Sequence, residues 1–105
     1  MLDKKKLLGK RLKELRKKQK FTLAQLSEKI GIEPSSLGNI ENGYNYPKIS
    51  TLENLSKALN CKISDFFNFE HLEAEQNLID EINKKLSKNP DKIQEIYKII
   101  TAITN

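Results

Sequence analysis

The chain is poor in the residues that form disulfides and bind transition metals, since its 105 residues include one cysteine and one histidine. Cys61 cannot form an internal disulfide, and the sequence offers no cluster of metal ligands. A Gly-rich phosphate-binding loop, a nucleophile motif and an acidic metal cluster are also missing from the sequence. We therefore expect no metal, no cofactor, no catalytic residue and no enzymatic activity.

Long apolar segments are absent as well. No run approaches the roughly 20 apolar residues that a transmembrane helix needs. Near the N-terminus, charged residues interrupt the segment MLDKKKLLGKRLKEL at helical spacing, which argues against a signal peptide. The sequence therefore predicts a small cytoplasmic protein with no membrane partner and no small-molecule ligand.

The charges that are present are unevenly distributed along the chain. Residues 1–69 hold 14 Lys or Arg and 7 Asp or Glu, whereas residues 70–105 hold 5 basic and 7 acidic side chains. A basic N-terminal part and a mildly acidic tail favour contact between the first part and phosphate groups. The alternative is that the lysine-rich helix surfaces serve only solubility.

Two short amphipathic helices are predicted between residues 23 and 42, in the segment LAQLSEKIGIEPSSLGNIEN. Leu26 and Ile30 share one face of the first helix, and Leu37 and Ile40 share one face of the second. Each helix therefore has an apolar stripe to bury against a common core.

The turn between these helices is predicted to be sharp. Gly31 follows the first helix, where glycine adopts the left-handed conformation without a Cβ penalty. Pro34 suits the first turn of the second helix, because an N–H at that position has no partner within the helix. Ser27 is small enough for the second helix to approach closely. The pattern predicts a helix-turn-helix, whose second helix can lie in the DNA major groove.

Residues 8–68 resemble the five-helix DNA-binding domain of the phage repressor, Cro and Xre-like family. In that family an arginine near the end of the first helix pairs with a glutamate that closes the recognition helix, and here Arg16 and Glu41 stand at those positions. Asn42 and Gly43 complete the Glu-Asn-Gly ending of the motif. The resemblance implies an all-α fold, with a DNA-binding domain at residues 1–69 that binds double-stranded DNA sequence-specifically.

Further capping signals are expected in residues 50–69. Ser50 and Glu53 form a second capping-box pattern, which predicts a helix that runs to about residue 59. Ser64 is expected to cap a short helix over residues 65–68, whose Phe66 and Phe67 would supply aromatic core side chains.

The exposed face of the recognition helix is predicted to read bases. If Leu37 and Ile40 face the core, short polar side chains lie on the opposite face. The amide of Asn39 can bond to N6 and N7 of adenine, which is worth about 1 to 3 kcal/mol of discrimination. Alternatively, Asn39 is an ordinary exposed polar residue. The candidate base-reading residues are Pro34, Ser35, Ser36, Gly38 and Asn39.

Phosphate contacts are expected from backbone amides at the starts of the second and fourth helices. The second helix begins with Leu23, where the family often has a phosphate-binding glutamine, so DNA shape and the lysines at residues 4–6 could also contribute to specificity. These lysines either follow a groove or form a solvated tail. The candidate phosphate-binding residues are Thr22, Leu23, Asn42, Asn45, Tyr46, Lys48 and Thr51.

Residues 70–105 are predicted to form a helical hairpin, with Asn89 and Pro90 capping and starting its second helix. A hairpin of about 35 residues is too small to bury both of its apolar stripes. It either pairs with a second copy of the chain or folds back on the first domain; we favour a homodimer. The candidate dimerisation residues are Leu78, Ile82, Leu86, Ile93, Ile96, Tyr97, Ile100 and Ile103.

Two functions follow from these features. The first is a dimeric transcriptional repressor that binds a palindromic operator, because a two-fold dimer sets two recognition helices about 34 Å apart. The second is an antitoxin or a restriction-modification controller, whose C-terminal helices bind another protein.

Overall fold

The computed structural model describes residues 3–104, and each regular element in that range is helical, as the all-α expectation requires. Short 3₁₀ helices cover Ile63–Phe67 and Pro90–Lys92. None of the helices in residues 3–104 is both long and apolar enough to cross a membrane. The α-helices are α1 (Lys4–Lys18), α2 (Leu23–Ile30), α3 (Pro34–Glu41), α4 (Ile49–Ala58), α5 (Glu70–Lys88) and α6 (Ile93–Thr104).

The chain divides into one unit that ends at Glu73 and a second that begins at Ala74. The first turn of α5 belongs to the first unit, because ion pairs attach it to α1. Nζ of Lys4 lies 3.4 Å from Oε1 of Glu73, and Nε2 of His71 lies 2.8 Å from Oε1 of Glu14. The division at residues 69 and 70 made from the sequence remains a prediction.

The core of the first unit is built mainly from leucines of the four α-helices that precede residue 60. Ile30 and Ile32 are partly buried against this core. A fully buried Leu or Phe side chain contributes about 1.5 to 3 kcal/mol, so this cluster dominates the stability of the unit. The core residues are Leu8, Leu12, Leu15, Leu26, Leu37, Ile40, Leu52, Leu55, Leu59 and Phe66.

Local signals in the sequence set the geometry of the turn between α2 and α3. Thr22 and Gln25 form the expected capping box, with N–H···O distances of 2.9 and 3.1 Å. Gly31 ends α2 in the left-handed conformation at φ 76°. Ser27 is fully buried, and its hydroxyl donates to the Leu23 carbonyl. Pro34 opens α3. The structure thus forms the sharp turn that the sequence predicts.

The capping predictions for residues 50–69 are wrong in detail. Helix α4 begins at Ile49 without a side-chain cap, so Ser50 lies inside it. In the Ile63–Phe67 helix the cap is Asp65, whose carboxylate accepts from the Lys62 N–H at 2.9 Å.

The aromatic side chains of this segment follow the three-residue period of a 3₁₀ helix. Phe66 is fully buried and Phe69 is 9% exposed, whereas Phe67 is 52% exposed. Side chains three positions apart eclipse one another in a 3₁₀ helix, so Phe66 and Phe69 share a side that Phe67 does not. The prediction that Phe67 belongs to the core is therefore wrong.

In the second unit, Asn89 does not cap the helix that follows it. Its side-chain amide donates instead to the carbonyl of Lys85, at 2.9 Å, on the preceding helix α5. Pro90 begins the next helical segment as expected, although that first turn is 3₁₀ and α6 starts at Ile93.

Candidate nucleic-acid interface

Helix α3 has one buried side and one exposed polar side. Leu37 is fully buried, and Ile40 and Glu41 are 8% and 7% exposed. The opposite side carries Ser35 and Asn39 one helical turn apart, both exposed. The helix therefore presents short hydrogen-bonding side chains outward while its apolar side holds it to the core.

The five candidate base-reading residues all lie on α3, but they are not equivalent. Ser35 and Asn39 are near the centre of the exposed side. Pro34, Ser36 and Gly38 lie nearer its edges, and Gly38 is half-buried beside α2. The structure thus brings these five residues together on a single helix, with Gly38 as the gap among the side chains.

The C-terminal end of α3 is attached to α1 by a buried ion pair. The Arg16 guanidinium donates to both carboxylate oxygens of Glu41, from Nε at 2.7 Å and from Nη2 at 3.0 Å. The remaining guanidinium nitrogen, Nη1, donates to the Phe21 carbonyl at 2.8 Å. The side chains of the pair are only 9% and 5% exposed. This two-point geometry restrains the orientation of α3.

A glycine of α1 permits the same two helices to approach closely. A Cβ atom at Gly9 would collide with the carbonyl oxygens of Ile40 and Glu41. Gly43, directly after α3, has φ 79°, and a Cβ there would lie 2.6 Å from Cγ of Lys6. The sequence analysis missed Gly9; its signal is a glycine inside a strongly helical, leucine-rich pattern.

The two helix N-termini expected to contact phosphate differ in their caps. At α2, the side chains of Thr22 and Gln25 already satisfy two backbone N–H groups. At α4, Lys48 precedes the helix without a side-chain cap, so the first-turn N–H groups remain available to an anion. The α4 N-terminus is therefore the better anion site of the two.

The remaining phosphate candidates lie on the surface near these N-termini. Thr22, Asn42, Asn45 and Lys48 are exposed, and Leu23 and Thr51 are half-buried. Tyr46 is 60% exposed, and Nζ of Lys5 lies 5.8 Å from the centre of its ring. These positions are accessible to a ligand.

The two tail helices leave their apolar residues uncovered. No described residue of α5 or α6 is buried. Two of the candidate dimerisation residues, Leu86 and Ile96, are half-buried. The other six are between 47% and 77% exposed, and they are Leu78, Ile82, Ile93, Tyr97, Ile100 and Ile103.

Cys61 is half-buried, and burial raises the pKa of its thiol. The carboxylate of Asp65 raises that pKa further, while Arg11 opposes the shift. A thiol with a raised pKa is protonated at neutral pH and is a poor nucleophile. Within residues 3–104, no group of three or more His, Cys, Asp or Glu side chains is placed to hold a metal ion.

Residues 12–66 match the sequence profile of the family described as helix-turn-helix, HTH_3. The chain belongs to this family. The matched range contains α2, α3 and α4 in full, together with both residues of the Arg16–Glu41 pair. The Xre-like resemblance seen in the sequence is confirmed.

Comparison with individual proteins agrees with this family. The chain is 37% identical over 92 residues to the immunity repressor protein of Bacillus phage phi105, which covers 87% of the chain but only 62% of that repressor. It is 32% identical to the biofilm master regulator SinR in a crystal structure with DNA, with a TM-score of 0.55, covering 58% of this chain and 98% of that one. A SinR/SinI complex is 26% identical, with a TM-score of 0.58, and covers 92% of this chain and 99% of that one.

Proposed function

We propose that this HTH_3 protein is a cytoplasmic transcriptional repressor that binds a palindromic double-stranded DNA operator as a homodimer. The observation that carries the proposal is the exposed polar side of α3, held outward by the buried Leu37 and by the Arg16–Glu41 pair. The phi105 relative is named an immunity repressor, and the SinR neighbour was crystallised with DNA. Such a protein acts by occupying its site, so we assign it no catalytic step.

In this proposal Asn39 reads the bases most sharply. Its side-chain amide carries one donor and one acceptor, the pair that matches N7 and N6 of adenine in the major groove. Ser35 lies one turn away on the same exposed side and can donate or accept a single hydrogen bond. The polar side of α3 therefore supplies one sharp and one permissive contact.

Phosphate contacts would position the reading helix. Amides at the uncapped α4 N-terminus bind an anion without sequence preference, and Lys48 adds a positive charge beside them. Residues 1–69 carry twice as many basic as acidic side chains, 14 against 7. Since phosphate neutralisation releases counterions, we expect affinity to fall steeply with salt.

Dimerisation would be supplied by the apolar residues of α5 and α6. Contiguous exposed apolar patches of more than a few hundred square ångströms are rare on monomers and mark interaction sites. Large exposed residues recur along both helices, among them Leu78, Ile82 and Tyr97. A second copy of the chain offers the same surface and thereby forms an isologous interface.

The proposal is tested by selecting duplexes from a random library with the full chain and measuring the dissociation constant of the best duplex by fluorescence anisotropy. We expect a palindromic motif with half-sites about one DNA turn apart. We also expect the affinity to fall at least tenfold between 50 and about 200 mM salt. Equal affinity for the selected and scrambled duplexes would contradict the proposal.

A second function is favoured by the likeness to the SinR/SinI complex, which covers 92% of this chain. In this alternative the C-terminal helices bind a different protein, as in an antitoxin or a restriction-modification controller. Sedimentation of the purified chain at tens of micromolar separates the two, since a dimer supports the first function. A stable monomer supports the second.

A further inference from the structure

The exposed side of α3 is interrupted at Gly38. This residue lies one helical turn after Pro34 and one turn before Asn42, and it is half-buried where α3 passes the first residue of α2, Leu23. A Cβ atom at Gly38 would lie 3.6 Å from Cδ2 of Leu23, the only atom of a neighbouring element within 4 Å. Gly38 thus leaves a small open recess at the edge of the polar row.

The recess has the size of one methyl group. A separation of 3.6 Å is the normal contact distance between two carbon atoms. One carbon-sized group can therefore enter beside Gly38 and touch Leu23 without moving the protein. Since Leu23 is itself half-buried, part of its side chain remains open to this space.

The lining of the recess is apolar. Leu23 has no side-chain donor or acceptor, and Gly38 has no side chain. A hydrogen-bonding base edge would lose water there without gaining a partner, which is unfavourable. In the major groove, the C5-methyl of thymine is the apolar group of matching size, whereas cytosine presents an amino donor beside an unsubstituted C5.

Building on the proposed binding of DNA by α3, we infer that Leu23 and Gly38 form a recess for the C5-methyl group of thymine. This contact selects thymine at one position of each half-site, beside the base that Asn39 reads. Leu23 thereby serves as a specificity residue, in addition to any phosphate contact through its backbone amide.

The test uses the full chain and its selected duplex. Each thymine is replaced in turn by deoxyuridine, which pairs identically but lacks the methyl group, and dissociation constants are measured at one fixed salt concentration. At one thymine of each half-site we expect about a fourfold loss of affinity, the effect of burying one methyl group. The other thymines should show no comparable loss.

Two variants assign the effect to the recess. Gly38→Ala fills the space with its own methyl group and should fold, because its Cβ meets Leu23 at an ordinary distance. It should bind the thymine and deoxyuridine duplexes equally at the sensitive position. Ser36→Ala, an exposed change on the same helix, should retain the fourfold difference.

Each result decides between the inference and the function beneath it. If the wild-type protein binds every deoxyuridine duplex as tightly as the thymine duplex, the recess is overturned while DNA binding stands. A thymine preference that persists in Gly38→Ala also overturns it, because the methyl group then contacts another residue. If the chain selects no duplex at all, the proposed function fails together with the recess.

Discussion

The Arg16 guanidinium and the Glu41 carboxylate form a two-point ion pair, with N–O distances of 2.7 and 3.0 Å, between the last turn of α1 and the last residue of α3. Both side chains are almost fully buried. A buried pair of this kind contributes little net stability over an apolar pair, but the loss of one partner leaves a charge without compensation. Its main effect is to define where α3 ends relative to α1.

Replacement of Glu41 by Ala should therefore destabilise the first unit. The buried Arg16 would lose both carboxylate contacts, and removal of one partner from a buried pair typically costs about 3 to 5 kcal/mol. Urea unfolding followed by circular dichroism measures this loss, and DNA affinity should fall together with stability. Glu53→Ala, at an exposed position of α4, is the control and should change stability by less than about 0.5 kcal/mol. If the two variants unfold alike, the ion pair does not have this role.

Two glycine-to-alanine changes should act in opposite directions. In Gly9→Ala the new methyl group collides with backbone carbonyl oxygens of Ile40 and Glu41, so α1 and α3 must separate. In Gly38→Ala the methyl group enters open space, and the gain in helix propensity is about 0.5 to 1 kcal/mol. Thermal melting should show a lower midpoint for the first variant and an equal or higher one for the second. The reverse order would be inconsistent with the packing of α1 against α3.

At Gly31 the cost of a side chain should arise from the backbone alone. The residue has φ 76°, and an added Cβ would meet nothing within 4 Å. The left-handed conformation costs an ordinary residue about 1 to 2 kcal/mol, and less for Asn. Gly31→Ala should therefore be less stable than the wild-type protein in chemical denaturation, with Gly31→Asn between the two. Equal stability of Ala and Asn at this position would count against the argument.

A charge within the apolar surface of the tail should dissociate the proposed homodimer. Ile82 is 51% exposed on α5, so Ile82→Lys need not disrupt a packed core. We expect sedimentation equilibrium at tens of micromolar to give a monomer, and operator affinity to fall at least tenfold. Lys84→Ala on the same helix is the control and should remain dimeric. A dimer that persists in Ile82→Lys would place the interface elsewhere.

The sequence predicted best the parts of the fold that depend on neighbouring residues. The bounds Pro34–Glu41 and the left-handed Gly31 agree with expectation, because helix starts and stops depend on local backbone chemistry. The Thr22–Gln25 capping box has the same local origin. The recognition helix and its turn were therefore predictable from one short segment.

Features that depend on distant contacts were not predictable in this way. Phe67 is exposed because the segment is a 3₁₀ helix that turns Phe66 inward, whereas an α-helical pattern allowed both residues to be buried. The importance of Gly9 becomes visible only when the end of α3 lies against it. The base and phosphate assignments on α3 and α4 remain predictions, since they depend on a ligand.

The central claim is that the outward side of α3 reads DNA bases, and duplex selection with wild-type protein and with Asn39→Ala tests it most directly. The account predicts that wild-type protein enriches an adenine at one position of each half-site. Asn39→Ala should retain the half-site spacing but lose that preference, by a factor corresponding to about 1 to 3 kcal/mol. An identical enriched motif from both proteins would contradict the claim.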